Sequence, residues 1–97
     1  MMLKLNPNEV LLKAEDSCHN KTKGKFMVTN QRIYFKPTDS NNSNEIIIPF
    51  INIKEVIFFS KGIFREKGLN IITNDNKSYI FPLKNYNDIG ILINKMY

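Results

Sequence analysis

The chain has 97 residues, a formal charge of +5 and a single cysteine. It is too short for two ordinary domains or for a barrel enzyme of roughly 200 residues or more, and one cysteine excludes an internal disulfide, so a packed core must hold the fold, as in a reducing compartment. With 42% hydrophobic and 24% charged residues it reads as one globular domain over residues 1–97, neither disordered nor fibrous.

In chain order, most of the sequence is short β-like runs separated by turn residues. Glu9–Ala14 follows Asn6-Pro7-Asn8 and reads as a first strand, and the polar run Glu15–Lys21 reads as a loop. Lys23–Val28 alternates, with Phe26 and Val28 on one face and Gly24, Lys23, Lys25 and Met27 assigned to the other. Thr29-Asn30-Gln31 is turn-like, and Ile33 and Phe35 resume the apolar face beside Arg32, Tyr34 and Lys36, the signature of a hairpin. Pro37–Asn44 is the most loop-like segment. Glu45–Phe50 reads as a strand ending near Pro49, and Lys54–Ser60 as a strongly apolar strand. Ser60–Gly68 reads as a loop or splayed hairpin, Leu69–Thr73 as a strand, Asn74-Asp75-Asn76 as a turn, and Ser78–Leu83 as a strand with Tyr79, Phe81 and Leu83 on one face. The end changes period: Ile89, Leu92, Ile93 and Met96 recur at helical spacing, with Asn85 as N-cap and Asp88 in the capping-box position. Gly90 weakens such a helix by about 1 kcal/mol relative to alanine, so packing must supply the rest.

Seven short strands followed by one amphipathic helix is the element order of a pleckstrin-homology-like partly open barrel. The residues Gly24-Lys25-Phe26-Met27-Val28-Thr29-Asn30-Gln31-Arg32-Ile33-Tyr34-Phe35 resemble the hairpin of GRAM and bacterial pleckstrin-homology-like domains. Ile48-Pro49-Phe50, Ile53 and Val56 resemble the same family's next pattern, and Gly68-Leu69 with Ile71, then Tyr79 with Phe81, resemble its last hairpin. The resemblance covers residues 8–97. It implies a mainly β fold of about seven antiparallel strands capped by one C-terminal helix. The chain has no tryptophan, which the helix of eukaryotic pleckstrin-homology domains usually carries, and this points to the GRAM or bacterial branch. The resemblance implies a binding module for lipids or proteins without fixing the ligand.

The basicity is central: residues 21–36 hold Lys21, Lys23, Lys25, Arg32 and Lys36 with no acid among them. Lys21, Lys23 and Lys25 fall at alternate positions, which puts three ammonium groups on one face of a strand. The family's inositol-phosphate binders often use basic residues around the first loop and second strand, which implies an anionic headgroup site at Lys21, Lys23 and Lys25 with Arg32 nearby. A solvated strand face is the alternative for the lysines, and a structural bond to turn carbonyls the alternative for Arg32. Ile63 and Phe64, flanked by Lys61, Arg65 and Lys67, form a candidate contact for a membrane interface or a partner groove; the alternative is a longer strand that turns both inward. Ile57, Phe58 and Phe59 lie in a run that is apolar on both strand faces, so a candidate oligomer contact sits there.

Catalysis finds little support. His19 adjoins Cys18 without a third partner. One histidine and one cysteine are too few for a usual zinc site, so no metal and no cofactor is expected. Phosphate-loop, dinucleotide and nucleophile-elbow motifs are absent from the sequence. Nucleic acid is disfavoured, because alternation turns Phe26 and Phe35 inward and leaves only Tyr34 beside Arg32 and Lys36 for stacking. The N-terminus has no apolar run of signal-peptide length. The expectation is a cytoplasmic, non-enzymatic binding module that docks to a protein partner or to an anionic lipid surface at the inner face of the membrane. The alternative is a self-assembling structural module that forms homo-oligomers through its apolar strand face.

Overall fold

A computed structural model describes residues 4–38, 45–61 and 66–97. Seven antiparallel strands form two sheets. The first is β1 (Leu11–His19), β2 (Thr22–Thr29), β3 (Arg32–Pro37) and β4 (Ile46–Pro49), hydrogen-bonded in that order. A single 3-10 turn, Phe50–Asn52, leads to the second sheet, β5 (Ile53–Lys61), β6 (Glu66–Thr73) and β7 (Ser78–Pro82). The helix α1 (Tyr86–Asn94) follows. Among the described residues the sheets do not close into a full barrel by strand pairing.

The alternation read from the sequence sets the core. Phe26, Val28, Ile33 and Phe35 point between the sheets and meet Leu69, Ile71 and Phe81 from the other side, while Ile89 and Ile93 of α1 cover the end. Leu92 and Met96 pack partly against the same cluster, so the helical spacing defines the buried stripe. Met27 and Tyr34 depart from the simple pattern. They pair across β2 and β3 on the outer face and are nevertheless buried, at 7% and 8% exposure.

The largest difference from the sequence reading lies in β1. It begins at Leu11 and continues through Glu15–His19, the segment read as a loop. Alternation turns Glu15, Ser17 and His19 inward, and each finds a partner far along the chain. Ser17 Oγ donates to the Pro82 carbonyl at 2.7 Å. His19 Nδ1 lies 3.5 Å from the Ile80 carbonyl. The Glu15 carboxylate accepts from the Asn85 amide nitrogen at 3.2 Å and from its side-chain amide at 2.8 Å. These contacts join the free edges of β1 and β7 through side chains. They also replace the expected cap: Asn85 makes no side-chain cap to the helix, and Glu15 rather than Asp88 takes its backbone N–H.

Smaller corrections concern boundaries. Pro37 belongs to β3, Phe50 leaves the strand for the 3-10 turn, and the β5–β6 ladder runs to the Lys61–Glu66 pair, so the Ser60–Gly68 loop is shorter than read. The Asn74-Asp75 turn stands where expected, with Asn76 at φ 66°. Asn8 and Asn20 also take positive φ, the conformation asparagine tolerates best among non-glycine residues.

Gly90 has a tertiary reason. A Cβ there would strike the ring of Phe58 and sit 3.0 Å from Leu69 Cδ2. The helix therefore approaches β5 more closely than alanine permits. Gly90→Ala should lower stability by about 1–2 kcal/mol, the clash outweighing the gain in helix propensity. Denaturant midpoints check this, and Phe58→Leu in the same chain should recover part of the loss, because the obstacle is a side chain.

Candidate functional site

The basic segment is divided by its own turn. Asn20 and Lys21 have φ of 49° and 67°, and His19 pairs with Thr22 around them, the pattern of a two-residue hairpin turn with both central residues left-handed. Lys21 thus stands in the turn, off the strand, and only Lys23 and Lys25 share the outer face of β2. A lysine in that second central position is disfavoured where glycine is preferred, so Lys21→Gly should raise stability by about 1 kcal/mol, read as a higher melting temperature.

Three of the five cations in residues 21–36 are matched by acids from other parts of the chain. Lys25 Nζ lies 2.7 Å from Asp16 Oδ1, and Lys36 Nζ lies 3.3 Å from Glu45 Oε1. Lys25 and Lys36 are cross-strand neighbours, so the outer row reads Asp16, Lys25, Lys36, Glu45 across the sheet, acids at both ends. Arg32 is held at the opposite end of the hairpin by Glu9. The guanidinium Nε donates to Glu9 Oε2 at 2.9 Å and Nη2 donates to Oε1 at 3.1 Å. Nη2 also donates to the Lys4 carbonyl at 3.0 Å. The four proposed headgroup residues therefore do not converge: Arg32 is engaged, Lys25 is paired, Lys21 is displaced into the turn, and Lys23 lies opposite Cys18.

Glu9, which the sequence reading left without a role, anchors this end of the molecule. Its side chain is fully buried. Burial alone pushes its carboxyl up, but hydrogen bonds from Arg32, the Asn6 amide and the Thr29 hydroxyl, together with the Arg32 charge, outweigh this and hold it at about 2 against an ordinary 4.5. Thr29 Oγ1 donates to Glu9 Oε2 at 2.5 Å and accepts from the backbone amides of Gln31 and Arg32. Asn30 Oδ1 accepts from Val10 N–H at 2.8 Å, and its side-chain amide donates to the Asn8 carbonyl at 3.0 Å. Thr29, Asn30 and Arg32, the polar residues of the hairpin pattern, thus clasp residues 4–10 over the β2–β3 turn.

Between the first turn and β4 lies a cavity of about 250 Å³, lined by His19, Asn20, Thr22, Phe35, Glu45, Ile46 and Tyr79. A second, of about 300 Å³, lies on the other side of Tyr79 against Ile47, Ile48 and the Asn74–Asp75 turn. Among the described residues neither is lined by lysine or arginine, which is poor chemistry for a phosphate. The His19 ring is packed among Phe81, Tyr79 and Phe35 in tilted and edge-on contacts at centroid distances of 5.3, 5.8 and 6.4 Å. Among the described residues no group of three histidine, cysteine, aspartate or glutamate side chains is placed to hold a metal. No described helix is long and apolar enough to cross a membrane.

The apolar run of β5 splits by face. Phe58 turns inward, against Gly90 and with its ring 6.3 Å from that of Tyr86, so it is not available to a second molecule. Ile57 and Phe59 face outward, and the ladder sets them beside Asn70 and Gly68 of β6, then Ile80 and Pro82 of β7. Ile57 and Ile80 are 39% and 51% exposed. Between them lies Asn70, whose Oδ1 is buried without a hydrogen-bond partner among the described residues, in a groove of about 310 Å³ bounded by Ile57, Phe59, Glu66, Ile80 and Pro82. The sequence reading found the β5 half of this face and missed the β7 half. The signal was present, since Tyr79–Leu83 is apolar at every position and not only at alternate ones. In the Lys61–Lys67 contact, Ile63, Phe64 and Arg65 lie outside the described residues; Lys61 ends β5 and Lys67 is an exposed residue of β6.

Two sheets of four and three antiparallel strands with a C-terminal helix over one end define a pleckstrin-homology-like fold. Solved structures agree. The C-terminal domain of an unknown protein from Leishmania infantum superposes with a TM-score of 0.78 at 14% identity, covering 93% of this chain and 85% of that one. The Vps36 N-terminal PH domain gives 0.69 at 15% identity over 96% and 80%. A DUF1696 family protein with a pleckstrin-homology domain from Shewanella loihica gives 0.62 at 18% over 95% and 82%. The family model of the GRAM domain matches residues 1–95, and the chain belongs to that family. No curated protein sequence matches it.

Proposed function

We propose that this GRAM domain is a non-catalytic, cytoplasmic docking module that binds protein, and that its working surface is the outer face of β5, β6 and β7. The observation that carries the reading is Asn70: a polar side chain with an unpartnered buried oxygen, set among Ile57, Phe59, Ile80 and Pro82. An apolar patch around one orienting polar group has the make-up of an interface core. An unmade hydrogen bond there costs about 1–3 kcal/mol, which a partner's donor would recover. The membrane reading is weaker, because Asp16, Glu9 and Glu45 neutralise Lys25, Arg32 and Lys36.

Two measurements test this. Vesicles of phosphatidylcholine with phosphatidylserine should not pellet the protein at low salt. Pelleting that falls with salt and disappears in Lys21→Glu/Lys23→Glu would replace the protein-docking reading with the lipid one. An apolar fluorescent dye should bind the wild type and lose most of its signal in Ile80→Glu, with the melting temperature little changed. A wild type that binds no dye would remove the docking face.

A further inference from the structure

We infer that the chain self-associates, a second copy joining edge to edge along β5 and doubling this face; the inference rests on the docking face proposed above and names what extends it. A strand at a sheet edge presents unpaired backbone groups and is a template for another strand unless it is short, broken by proline or covered. Three of the four edges are managed in these ways. β1 and β7 meet each other through Ser17–Pro82 and His19–Ile80. β4 has four residues and ends in Pro49. β5 has nine residues with neither proline nor glycine, among the described residues hydrogen-bonds in the sheet only to β6, and is apolar from Val56 to Phe59. It is the edge left for pairing.

The strand is also self-complementary in one register. Positions 55, 57, 59 and 61 carry acid, apolar, apolar and base: Glu55, Ile57, Phe59 and Lys61. Antiparallel pairing about a two-fold axis at position 58 sets Glu55 opposite Lys61 of the other copy and Ile57 opposite Phe59, each pair occurring twice by symmetry. A register centred on position 57 would instead set Glu55 opposite Phe59 and lose both charge pairs. With the axis normal to the sheet, corresponding faces of the two copies become continuous. The result is a six-stranded sheet in which the Ile57–Phe59 rows merge and Ile80 and Pro82 of both copies extend one apolar surface.

Sedimentation equilibrium of the full chain tests this, with melting curves to show that each variant is folded. The wild-type mass should rise with concentration from 11.3 kDa toward twice that value. Glu55→Lys and Lys61→Glu should each weaken association by about tenfold, because each puts like charges opposite one another twice. The double variant Glu55→Lys/Lys61→Glu should restore it, since the exchanged charges pair again. A wild type that stays at 11.3 kDa up to about 1 mM, a dissociation constant beyond the weak end of specific association, overturns the inference. So does a double variant as weak as the singles. A monomeric wild type that still binds the dye removes the second copy as partner and leaves the docking face standing. Absence of dye binding removes the docking face itself.

Discussion

Glu9→Ala should lower the folding stability by about 3 kcal/mol, one of the two largest losses expected from a single side chain here. Removing one partner of a buried ion pair leaves the other uncompensated, at a cost of about 3–5 kcal/mol when fully buried. Arg32 is 15% exposed, which lowers the figure. The same substitution removes the acceptor of the Asn6 amide and the nearer of the two acceptors of Thr29 Oγ1. For a domain of this size the melting temperature should fall by roughly 12–24 °C. The pH dependence follows from the direction of the Glu9 shift. Its carboxyl ionises at about 2 in the folded chain against an ordinary 4.5, so the folded state binds its proton less readily than the unfolded state does. The stabilisation is fully present above about pH 5 and is lost as the pH falls from about 5 toward 2, amounting to about 2 kcal/mol after allowance for screening at the partly exposed guanidinium. Denaturant unfolding of the wild type and of Glu9→Gln at pH 7, 5, 4 and 3 checks this. The wild-type curve should drop across that window and the variant curve should be flatter. Equal slopes would show that another carboxylate carries the acid sensitivity.

Strand alternation was legible because it is local. Phe26 with Val28 and Ile33 with Phe35 follow from period two, and the Ile89, Ile93 stripe from period 3.6, and the core is built on both. What was not legible has one physical origin, in contacts that join distant parts of the chain. Glu15–His19 looks like a loop because three inward positions are polar, and their partners Asn85, Pro82 and Ile80 lie some sixty to seventy residues on. The charge of residues 21–36 reads as one uninterrupted stripe because the acids that pair with three of its five cations, Glu9, Asp16 and Glu45, lie outside the segment. The run Val56–Phe59 is apolar at consecutive positions, so periodicity cannot say which of Phe58 and Phe59 faces the core. The glycine on the facing helix decides it, since Phe58 occupies the space Gly90 leaves. The Thr29–Asn30–Arg32 pattern marked the fold for the reason the structure gives: it ties the entering chain to the β2–β3 hairpin.

Gly68→Ala should cost about 3 kcal/mol, at the upper end of the range for overpacking, and its cost should be of a different kind from that of Gly90→Ala. A Cβ on Gly68 would run into the Phe81 carbonyl oxygen and stand 2.7 Å from Pro82 Cα and 2.9 Å from Leu83 N. These are backbone atoms of β7 and its exit, fixed by the β6–β7 ladder and by the Leu83 N–H bond to the Lys67 carbonyl at 2.8 Å. A glycine inside a strand marks such close backbone approach. No truncation of a neighbouring side chain can make room, so Gly68→Ala should show no recovery in a Phe81→Leu background beyond the additive effect of the two changes. Gly90→Ala, blocked by the Phe58 ring, should recover with Phe58→Leu. Denaturant midpoints of the two double-variant cycles separate the cases. The same close approach bears on the docking face. Gly68 stands in the ladder between Phe59 and Pro82, so displacing β7 there moves Ile80 and Pro82 relative to Ile57 and Phe59. Gly68→Ala should therefore weaken dye binding at that face as well as stability, whereas Gly90→Ala, which acts on the inner side of β5, should leave dye binding close to wild type.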